Sequence, residues 1–175
     1  MTEPTRPDLA NLGFLRLDPL HSAQDLAVFQ SVFRSAPSFV YLTGGVPPSD
    51  ADAARIVTKV PPGTAENDMF YFALSNAQGL CGCAITLRNF PKAQTAYIAL
   101  LLLVDAAQGQ GLGRAAVARM EDDARSWGCT SLAGVVDSMN EKGLRFWQRQ
   151  GFVETFRKPA DGFMGDAVVI NKIGF

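Results

Sequence analysis

Three glycines in five positions, Gly109, Gly111 and Gly113, stand between an apolar run and an amphipathic stretch. The run is Tyr97-Ile98-Ala99-Leu100-Leu101-Leu102-Leu103-Val104, which reads as a buried strand. The stretch from Leu112 through Trp127 reads as a helix. The first N–H groups of a helix have no partner within it, and glycine keeps side chains away from them. A bend of the form Gln108-Gly109-Gln110-Gly111-Leu112-Gly113 therefore offers main-chain donors to a phosphate group.

The elements that must hold this bend can be read along the chain. Gly13 to Leu17 forms a short strand ended by Asp18-Pro19. Ser22-x-x-Asp25 and Ser49-x-x-Asp52 are capping boxes, and each opens a helix. The first carries Leu26, Phe29 and Phe33 on one face and closes at Pro37. The second carries Ala53, Ile56, Val57 and Val60 and stops at Pro61-Pro62-Gly63. Met69 to Leu74 and Leu80 to Leu87 make a hairpin about Asn76-Ala77-Gln78-Gly79. Cys81 and Cys83, two apart on one strand, are expected to share a face. After the strand at 95–104 and the helix at 112–127 come a strand at 130–136 and a helix at 140–150, with Gly151 as its left-handed cap. Strands at 152–157 and 164–173 finish the chain. The order β-α-α-β-β-β-α-β-α-β-β describes an α/β fold with a mixed sheet (α+β). A single domain over 1–175 is expected, with residues 1–12 as a loose N-terminal tail.

Composition narrows the function classes. Of 175 residues, 47% are hydrophobic and 19% charged, which suits a soluble globular protein. A net charge of −1 carries no electrostatic footprint for nucleic acid or an anionic membrane. The apolar run from Ala96 to Val104 is too short to span a bilayer. No basic stretch followed by an apolar one opens the chain, so a signal peptide is not expected and a cytoplasmic location is. Three cysteines and the single His21 fall short of a usual four-ligand zinc set in credible spacing, and no metal is expected.

A dinucleotide fingerprint is one rival for the bend, because Gly111-Leu112-Gly113-Arg114-Ala115-Ala116 fits G-x-G-x-x-A. That fingerprint follows its strand at once, whereas six residues separate Val104 from Gly111 here. A P-loop needs Lys-Ser or Lys-Thr after the glycines, and neither is present. A second motif, Asn140-x-x-Gly143-x-x-Phe146-Trp147-x-x-x-Gly151-Phe152, follows downstream. Together with Gln108-x-x-Gly111-x-Gly113 it resembles the GNAT N-acetyltransferase superfamily, whose acyl-CoA N-acyltransferase fold has the same element order. The resemblance covers about residues 69–157; the first 68 match in element order only.

The resemblance implies acetyl-CoA as cosubstrate. Main-chain N–H groups of Gly109, Gln110, Gly111, Leu112, Gly113 and Arg114, in the loop opened by Gln108, would hold the CoA pyrophosphate. The backbone of Leu101 and Leu103 would pair with the pantetheine amides where the strands at 97–104 and 130–136 splay apart. Asn140 would bond the pantetheine arm, cap its helix, or do both. Two positions depart from the family pattern. Trp147 stands where many relatives have a Tyr that protonates the departing thiolate, and Trp has no transferable proton near neutral pH. Tyr97 stands where some relatives have a Glu base, and a phenol is a poor base at pH 7. Asp137 and Ser138, after the next strand, fall close to where the acetyl group would sit. Tyr97, Ser138 and Trp147 are therefore the catalytic candidates.

The activity implied is direct transfer of acetyl to a primary amine of a small acceptor; the alternative is a non-catalytic acyl-CoA-binding or sensor domain. With no strong base in the sequence, a low-pKa amine or a water-relayed proton is favoured. The acceptor pocket would be lined from Phe33 to Ser49, including Phe39, Tyr41, Thr43, Gly44 and Gly45. No acidic cluster stands there, so a partly apolar amine is expected; exposed, the same aromatics would instead form a homodimer contact.

Overall fold

The computed structural model describes residues 11–175. The tail expected over 1–12 therefore lies mostly outside the described residues, although Leu12 packs on the core. In chain order the elements are β1 (Gly13–Leu17), α1 (Ala23–Arg34), α2 (Asp50–Thr58), β2 (Met69–Asn76), β3 (Gly79–Arg88) and β4 (Thr95–Leu103). They continue with α3 (Leu112–Ser126), β5 (Ser131–Asp137), α4 (Glu141–Arg149), β6 (Val153–Lys158) and β7 (Ala167–Ile173). Local chemistry explains the helix starts. Ser49 accepts from the Asp52 N–H (3.2 Å) while Asp52 accepts from the Ser49 N–H (2.8 Å), a full capping box. The box expected at Ser22 is only half made. Ser22 accepts from the Asp25 N–H, but the Asp25 carboxylate turns to the Asp18 N–H at 2.6 Å.

One seven-stranded sheet, in the order β1-β2-β3-β4-β5-β7-β6, organises the fold. Its neighbours are antiparallel except for β4 and β5. α1 and α2 cover one face, burying Phe29, Phe33 and Val57 against Tyr71, Ile85, Leu87 and Leu100. α3 covers the other, burying Val117 and Met120 with Leu74, Ile98, Leu132 and Val168. The Tyr71 hydroxyl, inside the first layer, donates to the Val57 carbonyl at 3.1 Å.

Two bulges change which way side chains point. On β4, Ile98 opposes Thr86 and Leu100 opposes Ile85, so Ala99 is an extra residue. Before it, Tyr97 faces α1 and α2; after it, Leu100 and Leu102 do, while Leu101 and Leu103 face α3. On β3, Leu74 opposes Gly82 and Ser75 opposes Leu80, which leaves Cys81 as the extra residue. The expectation that Cys81 and Cys83 share a face is thereby corrected. Cys81 belongs to the α3-side core and Cys83 to the α1-side core.

Thr86, 3% exposed on β3, buries a hydroxyl that meets no partner among the described residues. An unpaired buried hydroxyl is destabilising, and a methyl fills the same space. Thr86→Val should therefore raise the unfolding free energy by about 1 kcal/mol in urea titration; an equal loss would show a bond that water supplies.

Candidate active site

β4 and β5 pair only from Thr95 to Ile98 and from Ser131 to Gly134. β5 then follows β7 as far as Asp137, while β4 stays with β3 as far as Leu103. The sheet splits at Ala99, where the bulge turns β4 away. The split opens a cleft of about 520 Å³, counted to its open mouth. One wall is Phe39, Tyr41 and Leu42 from the α1–α2 connection; the others are residues 98–101 of β4, Val135–Asp137 of β5, and Asn140 and Trp147. Val104 donates its N–H to the Cys81 carbonyl on β3 (3.0 Å). Main-chain groups alternate along a strand, so those of Leu101 and Leu103 turn the other way, into the gap.

The glycine-rich bend follows at the end of β4, after a 3-10 turn at Asp105–Ala107. Gly109 (φ +75°) and Gly111 (φ +82°) take left-handed conformations that favour glycine. Gly111 is the N-cap of α3 and lends it no side-chain bond; the first helical bond is Ala115 N–H to Gly111 carbonyl, 3.1 Å. Consequently the six consecutive N–H groups from Gly109 to Arg114 donate to no acceptor among the described residues. The exposed Arg114 guanidinium also forms no ion pair there, and leaves a free positive charge beside the bend.

Side chains lock the bend in place. Gln108 donates from Nε2 to the Leu103 carbonyl (3.2 Å) and accepts from Lys142 Nζ on α4 (3.1 Å). Asp105 accepts from the Ser38 hydroxyl (2.5 Å) and Ser38 N–H (3.2 Å), and so ties the bend to the end of α1. Nothing in the sequence singled out Asp105, since its partner lies 67 residues away. A Cβ on Gly113 would come within 3.0 Å of the Phe146 ring, so the third glycine lets α4 press against the bend. The two sequence motifs are thus in direct contact.

The residues singled out by sequence divide in three dimensions. Asn140 caps α4, accepting from the Gly143 N–H at 2.8 Å, and its side chain also lines the cleft. Trp147 lines the cleft and is wedged edge-on between Phe146 (5.0 Å between centroids) and Phe152 (4.9 Å). Tyr97 is not in the lining. It meets Phe90 edge-on at 5.2 Å, and burial pushes its phenol above the ordinary range. Ser138 is also outside the lining; its Oγ accepts from the Asp166 N–H and its own N–H donates to the Asp166 carbonyl, both at 2.8 Å. Asp137, 3% exposed, is the acid that lines the cleft. Its Oδ1 accepts from the Met139 and Gly165 N–H groups (2.8 and 3.1 Å), and its Oδ2 from the Met164 N–H (2.6 Å).

Comparison with known proteins agrees with this arrangement. Residues 36–152 match the profile of the acetyltransferase (GNAT) family. A 58-residue stretch is 36% identical to Acetyltransferase Atu2258 of Agrobacterium fabrum, and spans 33% of this chain and 41% of that protein's length. An acetyltransferase from Thermus thermophilus superimposes with a TM-score of 0.74 at 26% identity, covering 93% of this chain and 97% of that one. A spermidine N-acetyltransferase from Vibrio cholerae, solved with CoA and spermine, shares the fold at 17% identity with a TM-score of 0.69, covering 94% and 96%.

Proposed function

The chain belongs to the acetyltransferase (GNAT) family, and from that premise we propose that it moves an acetyl group from acetyl-CoA to the primary amine of a small acceptor by direct transfer. The observation that carries this is the run of six unpaired N–H groups opening α3 beside a split in the sheet. Each charge-assisted bond from such a donor to a phosphate oxygen is worth about 1.5–3 kcal/mol, and the helix dipole adds about 0.3–1. The residues present fit the cosubstrate from end to end. The bend takes the pyrophosphate, the edge of β4 at Leu101 and Leu103 (where the Leu103 carbonyl already accepts from Gln108) takes the pantetheine amides, and Asn140 offers its amide N–H to the same arm. Bound acetyl-CoA supplies an activated acetyl thioester to a neutral amine.

In this reading an N–H of β4 in the gap polarises the thioester carbonyl, an electrostatic contribution fixed before the substrate arrives. Trp147 walls the cleft and excludes water. Tyr97 and Ser138 act indirectly, the one by packing and the other by holding the loop at Asp166. Among the described residues the carboxylate that lines the cleft, Asp137, is tied to three main-chain N–H groups, and in this reading the amine reacts as it arrives neutral from water. Below the amine's own pKa, kcat/KM should rise about ten-fold per pH unit and then level off. The phenols of Tyr71, pushed up to about 12, and Tyr97, also raised, stay protonated through that range. Tyr97→Phe should change the rate by less than about three-fold, against the 10²–10⁴ expected for loss of a general base.

A cofactor-binding module without turnover is the second reading. It draws on Asp137, whose carboxylate is already bonded to three main-chain N–H groups, and on Trp147 in place of a proton donor. Thiol release from acetyl-CoA over an amine panel at several pH values separates the two. Release that tracks the amine's pKa supports transfer; silence in protein that still binds acetyl-CoA supports the module.

A further inference from the structure

The cleft is walled from both faces of the sheet, and its two mouths differ. Trp147 packs against the α3-side core and Phe39 against the α1-side core. The glycine-rich bend opens α3, and α4 presses on it, so the arm of a bound cosubstrate fills the mouth on that side. The other mouth, under the α1–α2 connection, is left for the acceptor. Tyr41 stands in this second wall.

Three side chains of the lining carry oxygen: Tyr41, Asp137 and Asn140. Asp137 has three of its four lone-pair sites engaged by main-chain N–H groups, and Asn140 turns its oxygen to the Gly143 N–H. Tyr41 is half-buried, and its hydroxyl bonds no described residue. Its neighbours fix its place. The Val40 carbonyl accepts from the Thr43 and Gly45 N–H groups (3.2 and 3.0 Å), and the Leu42 carbonyl accepts from Arg55 (3.2 Å). Phe39 is anchored edge-on against Phe33 at 5.8 Å between centroids. The Met164 methyl, on the loop that Asp137 holds, lies 3.7 Å from where a Cβ on Gly45 of the same connection would be. An unused hydroxyl on a braced wall is a group placed before its ligand arrives.

We propose that Tyr41 orients the acceptor: its hydroxyl oxygen accepts an N–H of the neutral amine and turns the nitrogen lone pair toward the thioester carbonyl. This rests on the transfer reading above and adds the residue that holds the acceptor's nitrogen. An amine N–H brought into the cleft without an acceptor loses its bond to water, and the Tyr41 oxygen replaces that bond. During transfer the N–C bond forms and the C–S bond breaks. CoA leaves as the thiolate with the electron pair of that bond, and the proton lost by nitrogen goes to water. Tyr41 keeps its own proton throughout, which makes it a binding group and neither acid nor base.

Tyr41→Phe removes the oxygen and keeps the ring. The test compares it with the wild type over glycinamide, propylamine, phenylethylamine and spermidine. Steady-state thiol release from acetyl-CoA is followed against pH, and binding of each amine to protein saturated with CoA is followed by calorimetry. For the best-bound amine the variant should raise both Kd and KM by about five-fold, or about 1 kcal/mol for one neutral hydrogen bond. Its kcat should stay within about three-fold, with acetyl-CoA affinity and the shape of the pH profile unmoved. Amine affinity and KM that stay within about two-fold of wild type would overturn the assignment while transfer stands. A kcat lower by about 10²–10⁴ at unchanged amine affinity, or an altered pH profile, would overturn it too, by making Tyr41 an acid or a base. Lost stability in urea with weakened acetyl-CoA binding would reduce Tyr41 to a packing role. Should no amine release thiol, amine binding that weakens about five-fold in the variant sustains Tyr41 while transfer falls; no binding of any of the four removes both.

Discussion

Gly111→Val should weaken acetyl-CoA binding at least a hundred-fold in a protein that remains folded. Gly111 sits at φ +82° as the N-cap of α3, a conformation that disfavours an L residue by about 1–2 kcal/mol. The bend can escape this strain only by rotating the peptides on either side of Gly111. Those peptides carry two of the six N–H groups that point out of the protein unpaired. Losing two charge-assisted bonds at about 1.5–3 kcal/mol each forfeits about 3–6 kcal/mol, and each 1.4 is a factor of ten. Stability should fall by only the strain itself. Gly63 supplies the control, since it holds φ +81° with open space around its Cβ position and lies outside the cleft and the bend. Gly63→Val should lose similar stability in urea titration and bind acetyl-CoA like the wild type. Calorimetry that finds Gly111→Val binding within three-fold of wild type would remove the bend from the cofactor site.

The bend was legible in the sequence because its requirement is local. A left-handed turn and bare N–H groups call for glycine wherever they occur, and Gly109, Gly111 and Gly113 announce themselves. The helix starts were legible for the same reason; Ser49 and Asp52 satisfy each other across one turn. What escaped notice depends on partners far along the chain. Residues 100–103 are four leucines, so the apolar run gives no alternation from which the bulge at Ala99 could be read. Only pairing with β3 reveals it, and the bulge decides that Tyr97 faces α1 and α2 while Leu101 faces α3. The Cys81 bulge follows the same logic. Asp105 carries no signal in the sequence and Asp137 only its place near the acetyl group, and each acquires its role from main-chain or hydroxyl donors brought in by other elements.

Asp137 carries the second large effect, and its two substitutions should behave differently. Asp137→Ala leaves the Met139, Met164 and Gly165 N–H groups without their acceptor next to a buried site. With about 1.5–3 kcal/mol for each bond to a charged group, and water repairing part of the loss at this half-open loop, a net destabilisation of about 3 kcal/mol is expected. Asp137→Asn is the sharper probe. Its carbonyl oxygen can keep the Met139 and Gly165 bonds, but its amide then opposes the Met164 N–H, donor against donor. The β6–β7 connection should detach at Met164 alone, and stability should fall by about 1–2 kcal/mol. Were Asp137 the base that deprotonates the amine, the Asn variant would lose about 10²–10⁴ in kcat at unchanged acceptor KM. A brace predicts the opposite split, with a raised KM for the acceptor amine, a kcat within a few-fold of wild type and an unchanged acetyl-CoA KM. The burial of the carboxylate and its three main-chain partners favour the brace, because three of its four lone-pair sites already tie it to Met139, Met164 and Gly165.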